Sequence, residues 1–313
     1  MRKDIVEKIY LEDKSRFADL INAFYFGGRE VIRPEDVNEM TGEVRSLGKH
    51  DGNIKTSYKS RDILQKVACG MRFIVVGVEE QSEVHYAMPV RVMEYDTAEY
   101  SRQLRKIGKE HREKKDLQGA EYLSRFSKND RLIPTMTLVL YFGERWDGAR
   151  RLHDLLDFSG YPPEVKTAVA DYPLHILEVT RYKNLERFRT DLGLVFGFLQ
   201  NTKDPKRLKS FVAAHQEGFS DLREDAYDVL RVNADIRELR NVDKGFRNQE
   251  GGVNMCYALK IMQEEAREEG RKEERQLLQN LLQQMLSEKR YEDLEKASRD
   301  SHYYDQLVSR MKC

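Results

Sequence analysis

The fold of this 313-residue chain is decided by the stretch RDILQKVACGMRFIVVGVEEQ, residues 61–81. Two runs rich in apolar and β-branched residues, 62–67 and 73–78, flank a short link that contains Gly70. β-branched residues favour strands, and glycine can adopt the positive φ angle that many tight turns require. The stretch therefore predicts a β-hairpin within a sheet-containing fold.

The turn of this hairpin fixes which side chains share a face of the sheet. With residues 69–70 as the two turn residues, Asp62 lies opposite Gly77. Directly opposite residues share a face, and so do alternate residues along one strand. Asp62, Glu79 and Gln81 are therefore expected to project together. A slip of one residue would move Asp62 to the other face.

Two carboxylates that converge at one end of a hairpin repel each other, and a hard divalent cation can hold both ionised. Asp62 and Glu79 are accordingly candidate ligands of Mg²⁺, or of a related cation such as Mn²⁺. Such an ion activates water and neutralises charge during phosphodiester hydrolysis. The uncharged amide of Gln81 is a candidate group for orienting the attacking water. The alternative is that both acids are ordinary solvated residues at strand ends.

Hydrophobic patterns elsewhere predict a mixture of helices and strands. Apolar residues at helical spacing over 14–26 predict a helix that ends at two glycines. The mostly polar residues 30–59 predict a long loop. Pro89 can start a helix that runs from Val90 to about residue 115. Further predicted elements are strands at 135–142 and 174–180 and helices at 150–158 and 163–171.

From residue 184 onwards the chain shows helical spacing without a comparable strand signal, and the glycine-rich residues 245–252 mark a boundary. We therefore expect a core at 1–183, a helical extension at 184–250 and a charged helical tail at 251–313. The tail carries an apolar stripe that could join two copies of the chain into a homo-oligomer. The stripe consists of Leu277, Leu278, Leu281, Leu282 and Met285.

The overall composition excludes several classes of protein. The 54 Lys+Arg and 54 Asp+Glu residues cancel, which excludes a uniformly basic surface and a chain with high net charge. Apolar runs such as 73–78 are far shorter than the ~18 residues that span a bilayer. The N-terminus mixes charges, unlike a signal peptide, and three distant cysteines do not form a disulfide framework. The expectation is a cytoplasmic protein without a membrane segment.

One segment of the chain has an excess of basic residues, although the whole chain has no net charge. Residues 101–131 contain ten Lys and Arg residues against five Asp and Glu residues, a pattern that suits contact with phosphates. Arg91, Tyr95 and Arg102 fall on one face of the predicted helix, because they are spaced at i, i+4 and i+11. The candidate nucleic-acid-binding residues are Arg91, Tyr95, Arg102, Arg105, Lys106 and Lys109. The alternative is a solvated helix on which Tyr95 packs inward.

The order of these segments carries a family resemblance. Asp62 is followed 17 positions later by Glu79-x-Gln81, and then by MPVRV at 88–92 and by Tyr95. Other parts of the pattern are RFADLIN at 16–22, TLVLYFG at 137–143 with Trp146, and the Glu/Arg-rich tail around Gly270. Together they resemble the Rpn family of bacterial recombination-promoting nucleases and transposases, in the branch of the PD-(D/E)XK nuclease superfamily where Gln replaces the motif Lys. The resemblance covers roughly residues 10–200.

The resemblance implies an α/β, restriction-endonuclease-like mixed sheet flanked by helices, and a Mg²⁺-dependent endodeoxyribonuclease that promotes recombination or transposition-like events. Asp62 and Glu79 would bind the metal, and Gln81 would be the third motif residue. Asp19, on the first helix of the core, is an additional candidate acid. DNA would be the partner, with the protein at the nucleoid when bound. Lys66 departs from the pattern, because it matches no motif position.

A second hypothesis belongs to another class. The chain could be a catalytically weak descendant that binds nucleic acid or a protein partner through its helical C-terminal half. RNA also stays open as a substrate, since the motif concerns phosphate chemistry and not the sugar. Metal dependence separates the hypotheses, because only the nuclease needs both carboxylates for activity.

Overall fold

The computed structural model of the chain describes residues 3–39, 43–50, 53–60, 63–69, 72–234, 236, 252–256, 271–272, 275–276, 278–283 and 285–299. Asp62 lies outside the described residues, as do Leu277 and the charged stretch 257–270. The chain divides into two compact units, 1–253 and 254–313. In the parts described, every helix is too short or too polar to cross a lipid bilayer.

The first unit is built on a mixed sheet of five strands. The strands in chain order are β1 (Val37–Glu39), β2 (Glu43–His50), β3 (Asn53–Ser60), β4 (Ile63–Cys69), β5 (Arg72–Gln81), β6 (Thr135–Tyr141) and β7 (His175–Glu178). The order in the sheet is β1-β4-β5-β6-β7, and β2 pairs with β3 as a separate hairpin. Pairing is antiparallel from β1 to β5 and parallel from β5 to β7. The central strand β5 therefore joins the two kinds of pairing.

Helices flank this sheet, and the two together confirm the predicted α/β class with a mixed sheet. The helices of the first unit are α1 (Lys3–Glu12), α2 (Lys14–Tyr25), α3 (Met88–Lys114), α4 (Gly119–Ser124), α5 (Pro163–Ala168), α6 (Leu192–Asn201), α7 (Pro205–Ala214), α8 (Gln216–Ser220) and α9 (Glu224–Asn233). The second unit contains α10 (Tyr291–Arg299) and helical residues at 278–283 and 285–287. Helix α1 contacts β4 and β5, and α3 contacts β6.

Helix α3 packs on the sheet through the apolar residues of its first turns. It has Pro89 in its first turn, where a missing N–H costs nothing. Met88 and Val92 form a buried cluster with Val139 of β6 and with Trp146. Each such side chain stabilises the fold by about 1.5–3 kcal/mol relative to an exposed position. The cluster fixes α3 over the end of β5.

Arg16 of α2 ties the N-terminal helices to the helical extension. Its guanidinium is 2% exposed and forms ion pairs with Asp191 and Asp225, each at 2.6 Å. Burial alone would raise the pKa of Asp225, but the hydrogen bonds and the charge of Arg16 hold that pKa below its usual value. The predicted boundary at residue 183 therefore falls inside the first compact unit.

The register of the β4–β5 hairpin differs from the predicted one. Cys69 pairs with Arg72, so residues 70–71 separate the strands, and Leu64 lies opposite Gly77 where Asp62 was expected. Gly70 favours a turn but does not specify which position of the turn it occupies. The predicted pairing of the two strands was therefore wrong by two positions. A shift of two preserves which residues share a face, because side chains alternate with a period of two.

The predicted loop at 30–59 was wrong. The segment contains β1, in which Val37 pairs with Val67 of β4, and most of the β2–β3 hairpin. Within the hairpin His50 pairs with Asn53. The sequence between them, Asp51-Gly52, is one that favours a two-residue hairpin turn, but it lies outside the described residues. The prediction failed because the flanking residues are mostly polar and show no clear strand alternation.

Most other predicted elements are confirmed at slightly different ends, including α2, α3, α5, β6 and β7. The predicted helix at 150–158 was wrong, and only a short 3₁₀ turn, Leu152–Leu155, forms there. The backbone N–H of Leu152 donates to the carbonyl of Tyr172, and that of Leu174 donates to the carbonyl of Arg150. These bonds hold the start of the segment in extended pairing and prevent a helix.

Candidate active site

Glu79 lies near the end of the central strand β5. It pairs with Val139 of β6, so its side chain lies on the sheet face that α3 covers. The side chain is 0% exposed. A carboxylate enclosed in this way is costly unless a cation or hydrogen-bond donors compensate it.

Helix α3 supplies that compensation. Arg91 forms an ion pair with the Oε1 atom of Glu79 through its Nη2 atom. The hydroxyl of Tyr95 donates to the same oxygen at 3.3 Å, and the Nε atom of Arg91 donates to that hydroxyl at 2.8 Å. The i, i+4 spacing of Arg91 and Tyr95 places both on one face of the helix. The helix face predicted to meet phosphates is thus directed in part at Glu79.

The electrostatics keep Tyr95 protonated. Burial raises the pKa of Tyr95, and the nearby charge of Glu79 raises it further, against the opposing effect of Arg91. The phenol therefore stays a hydrogen-bond donor near neutral pH. Arg91 is 34% exposed, so its guanidinium reaches from the enclosed carboxylate to solvent.

Gln81 lies two residues beyond Glu79 on the same face of β5. Its Nε2 atom donates to the carbonyl of Glu80 at 2.7 Å and lies 3.5 Å from the Oε1 atom of Glu79. The side chain is half-buried, and no donor in the described parts of the chain contacts its Oε1 atom. That oxygen can therefore accept a hydrogen bond from water.

Two other charged residues of the β4–β5 hairpin, Glu80 and Lys66, lie on opposite faces of the sheet. Glu80 is buried and alternates with Glu79, so it projects from the opposite face. Lys66 pairs with Val75 and so shares the face of Glu79, as the sequence predicted. Neither side chain is without a partner.

Asp19, the additional candidate acid, is buried and has a different set of partners. Its carboxylate accepts the backbone N–H of Arg189 at 2.9 Å and that of Thr190 at 2.8 Å, and also the Thr190 hydroxyl at 2.6 Å. These contacts fasten the chain before α6 to helix α2. The contacts of Asp19 are those of a structural anchor.

The remaining predicted nucleic-acid contacts lie further along α3. Arg102 forms a two-pronged pair with Glu99, with both hydrogen bonds at 2.7 Å. Lys106 and Lys109 are exposed and approach Glu110 and Glu113, at 4.0 and 3.8 Å. Arg105 is exposed, and among the described carboxylates none pairs with it. The structure therefore separates Arg91 and Tyr95, at Glu79, from a solvent-facing basic surface.

Sequence reasoning missed two buried carboxylates on α3, Asp96 and Glu99. Asp96 accepts hydrogen bonds from the hydroxyls of Thr137, at 2.7 Å, and Tyr172. These bonds connect α3 to β6 and to the segment before β7. The spacing of Asp96, Glu99 and Gln103 at i, i+3 and i+7 was the available signal, because polar residues at that spacing occupy one face of a helix.

The oxygen atoms around Glu79 match only in part what a divalent cation requires. Carboxylate and amide oxygens are the ligands that Mg²⁺ prefers, so Glu79 and Gln81 fit it in kind. Within the described ranges no group of three or more His, Cys, Asp or Glu side chains could hold a metal ion. Asp62, the second predicted ligand, lies outside them. Glu79 and Gln81 thus supply two of the oxygen donors that such a site would need.

At the end of β5 the chain therefore presents an enclosed carboxylate, a guanidinium that reaches solvent and an amide oxygen open to water. This combination suits the binding of an anionic substrate beside a fixed carboxylate. Comparisons of the chain with protein-family models, with curated proteins and with solved structures gave no match.

Proposed function

We propose that the protein is a divalent-metal-dependent nuclease that hydrolyses phosphodiester bonds in DNA and promotes recombination or transposition-like events. The observation that supports this most is the gathering of Glu79, Gln81, Arg91 and Tyr95 at the end of the central strand. These residues come from segments that resemble the Rpn family. The mixed sheet flanked by helices agrees with the same resemblance.

In this proposal each side chain has a distinct task. Mg²⁺ or Mn²⁺, when bound by Glu79 and Asp62, would activate water and neutralise charge on the phosphate. Gln81 accepts a hydrogen bond from the attacking water through its open amide oxygen. Arg91 binds the phosphate from the solvent side. Tyr95 is a positioning residue, since its hydroxyl lies between Arg91 and Glu79.

DNA reaches this site along α3. Arg105, Lys106 and Lys109 are exposed on the same helix as Arg91. Eighteen residues separate Arg91 from Lys109, which corresponds to roughly 27 Å of helix at 1.5 Å per residue. Cations over that length can contact several successive phosphates.

A second candidate function is favoured by one specific observation. Arg91 compensates the enclosed carboxylate of Glu79 from within the chain. A protein that has lost catalysis could keep this ion pair for stability and retain only the binding of nucleic acid. In that case DNA binding would be the same with Mg²⁺ and with EDTA.

The test is nicking and linearisation of supercoiled plasmid by the purified full chain, with Mg²⁺, Mn²⁺ or EDTA. The variants are Asp62→Asn and Glu79→Gln, with Glu83→Gln as the control because Glu83 is exposed and follows the same strand. Thermal melting establishes that each variant is folded. Metal-dependent cleavage that is lost in both variants and kept in the control supports the nuclease.

Two other outcomes would count against it. Wild-type protein that retains DNA but leaves it intact with either metal favours the binding module. Cleavage of a labelled RNA in place of DNA would change the substrate class while leaving the site assignment intact.

A further inference from the structure

A cavity of about 600 Å³ lies at the far end of α3, away from Glu79. It lies between the last turns of α3, helix α4 and the chain that joins them, and it is open to solvent on one side. The walls include three cations, Arg112, Lys115 and Arg125, together with Tyr122 and Leu123. Twenty-one residues of α3 separate Arg91 from Arg112, or roughly 31 Å of helix. The cavity is thus a separate feature from the candidate active site.

The positive charge of this cavity is left uncompensated. The five acidic residues between 101 and 131 already have partners: Glu110 and Glu113 with lysines, Asp116 and Asp130 with His111, and Glu121 with the Ser127 hydroxyl and the Lys128 backbone. In the part of the chain that the structure describes, no carboxylate forms an ion pair with Arg112, Lys115 or Arg125. Three clustered cations without counter-ions favour an anionic ligand.

Two of these cations occupy backbone positions that normally favour glycine. Lys115 ends α3 with a φ angle of 54°, and Arg125 ends α4 with a φ angle of 58°. Glycine is the usual residue at such left-handed helix ends, because other side chains are strained there. The chain therefore has cationic side chains at two strained positions that both line the cavity.

The lip of the cavity is aromatic and apolar. Tyr122 is 69% exposed and Leu123 is 83% exposed, although both lie on α4. An exposed aromatic ring beside uncompensated cations is the combination that proteins use to stack a base and hold its phosphate. The volume of about 600 Å³ falls within the range of roughly 300–1,000 Å³ that small ligands occupy.

The frame around the cavity is fixed by close contacts. The two ring nitrogens of His111 lie 2.7 Å from Asp116 and 2.9 Å from Asp130, which holds the chain between α3 and α4 in place. At Gly108 an added Cβ atom would lie 3.1 Å from the Cβ atom of Arg125. The absence of a side chain there lets Arg125 lie close against α3.

We infer that this cavity binds an unpaired nucleotide of a single-stranded nucleic acid, with Arg112, Lys115 and Arg125 on the phosphates and Tyr122 stacked on the base. The choice of nucleic acid as the ligand rests on the proposed function. An unpaired base can enter a cavity that is open to solvent on one side, whereas the bases of a duplex are stacked inside the helix. A single-stranded nucleic acid suits the cavity better than a free nucleotide does, because the exposed Lys128 and Arg131 continue the basic surface.

The test measures binding in EDTA, so that it does not depend on cleavage. Fluorescence anisotropy of the full chain is measured with a labelled oligothymidylate of roughly 15 nucleotides, a length near the upper end of common site sizes. A duplex of equal length and a free mononucleotide serve as competitors. Because EDTA removes the metal that the proposed cleavage needs, the measurement reports binding whether or not the protein is a nuclease, which separates this inference from the fate of the active-site proposal.

Two variants test the named side chains. Tyr122→Ala should weaken binding roughly tenfold, because stacking is lost, while Tyr122→Phe keeps the ring and should bind normally. Lys115→Gly removes one cation at a position where glycine is unstrained, so the fold is preserved. It should lower the dependence of log affinity on log salt by about 0.7, the value for one phosphate of a single strand.

Controls and contrary outcomes are equally specific. Tyr161→Ala and Lys209→Ala change an exposed ring and an exposed cation elsewhere, and both should bind like wild type. Binding that is unchanged in Tyr122→Ala and Lys115→Gly, or no binding of the oligonucleotide at all, would overturn the inference. Stronger competition by the duplex, or equal competition by the mononucleotide, would overturn it as well.

Discussion

At the scale of single residues, the Oε1 atom of Glu79 is the point on which the candidate site converges. Arg91, Tyr95 and Gln81 all lie within 3.5 Å of it. An enclosed carboxylate that loses its cation destabilises a protein by more than the pair contributes when intact. The ion pair with Arg91 is therefore open to direct measurement.

We expect Arg91→Met to lower the free energy of unfolding by about 1–3 kcal/mol, less than for a fully buried pair because Arg91 is partly exposed. Adding Glu79→Gln should recover much of the loss, since the uncompensated carboxylate is then gone. Urea denaturation measures both. Arg105→Met is the matched control on the same helix, and an equal loss in that variant would mean that the ion pair contributes nothing.

His111 gives a prediction about pH. Hydrogen bonds to Asp116 and to Asp130 raise the pKa of His111 above its ordinary value. The protonated ring stabilises the fold, so its contribution is complete below the unfolded pKa of about 6.5 and disappears as the pH rises through the folded value. Melting temperatures of wild type and His111→Gln should therefore differ at about pH 6 and converge at higher pH. A constant difference across that range would contradict the assignment.

At the scale of elements, the hairpin and helix α3 were predictable and their mutual contacts were not. The alternation in residues 73–81 predicted that Glu79 and Gln81 share one face of the sheet. That prediction is correct although the predicted register was wrong by two residues. Helical spacing likewise placed Arg91 and Tyr95 on one face. Which way that face points depends on the packing of Met88 and Val92 against β6, a long-range contact that no local pattern encodes.

The missed strands have a different physical cause. Residues 43–60 have few apolar side chains, so neither helical nor strand periodicity rises above the background. Strand β1 has only three residues and exists because Val37 pairs with Val67 across 30 positions of sequence. Such an element depends on its partner more than on its own composition.

Helices α6 and α7 offer a test of packing between elements. A Cβ atom at Gly197 would lie 2.1 Å from the ring of Phe211. Gly197→Ala should therefore destabilise the protein by about 1–3 kcal/mol, in spite of the better helix propensity of alanine. The double variant Gly197→Ala/Phe211→Leu should recover part of the loss in urea denaturation. A stabilised single variant would show that the two helices are not packed this closely.

At the scale of the whole molecule, the core and the helical extension are joined through buried polar contacts. Arg16 pairs with Asp191 and Asp225, and Asp19 accepts hydrogen bonds from Arg189 and Thr190. All four partners lie beyond residue 183. Removing them would leave an enclosed guanidinium and an enclosed carboxylate without compensation.

A fragment of residues 1–183 should consequently fail to fold, although the whole sheet lies within it. A fragment of residues 1–253 keeps the partners and should give a cooperative thermal transition. Circular dichroism and the yield of soluble protein distinguish the two. A 1–183 fragment that folds cooperatively would contradict this account and support the boundary at residue 183 that the sequence predicts.

The ion pair between Arg91 and Glu79 would also bear on when the proposed nuclease is active. Since the polypeptide supplies its own counter-charge, the enclosed carboxylate is compensated without a metal ion. In the proposed nuclease, metal binding would then compete with an internal arginine, and the strength of the ion pair would set the free Mg²⁺ concentration at which cleavage begins. The proposed activity would thereby depend on the ionic state of the cell and not only on the amount of protein present.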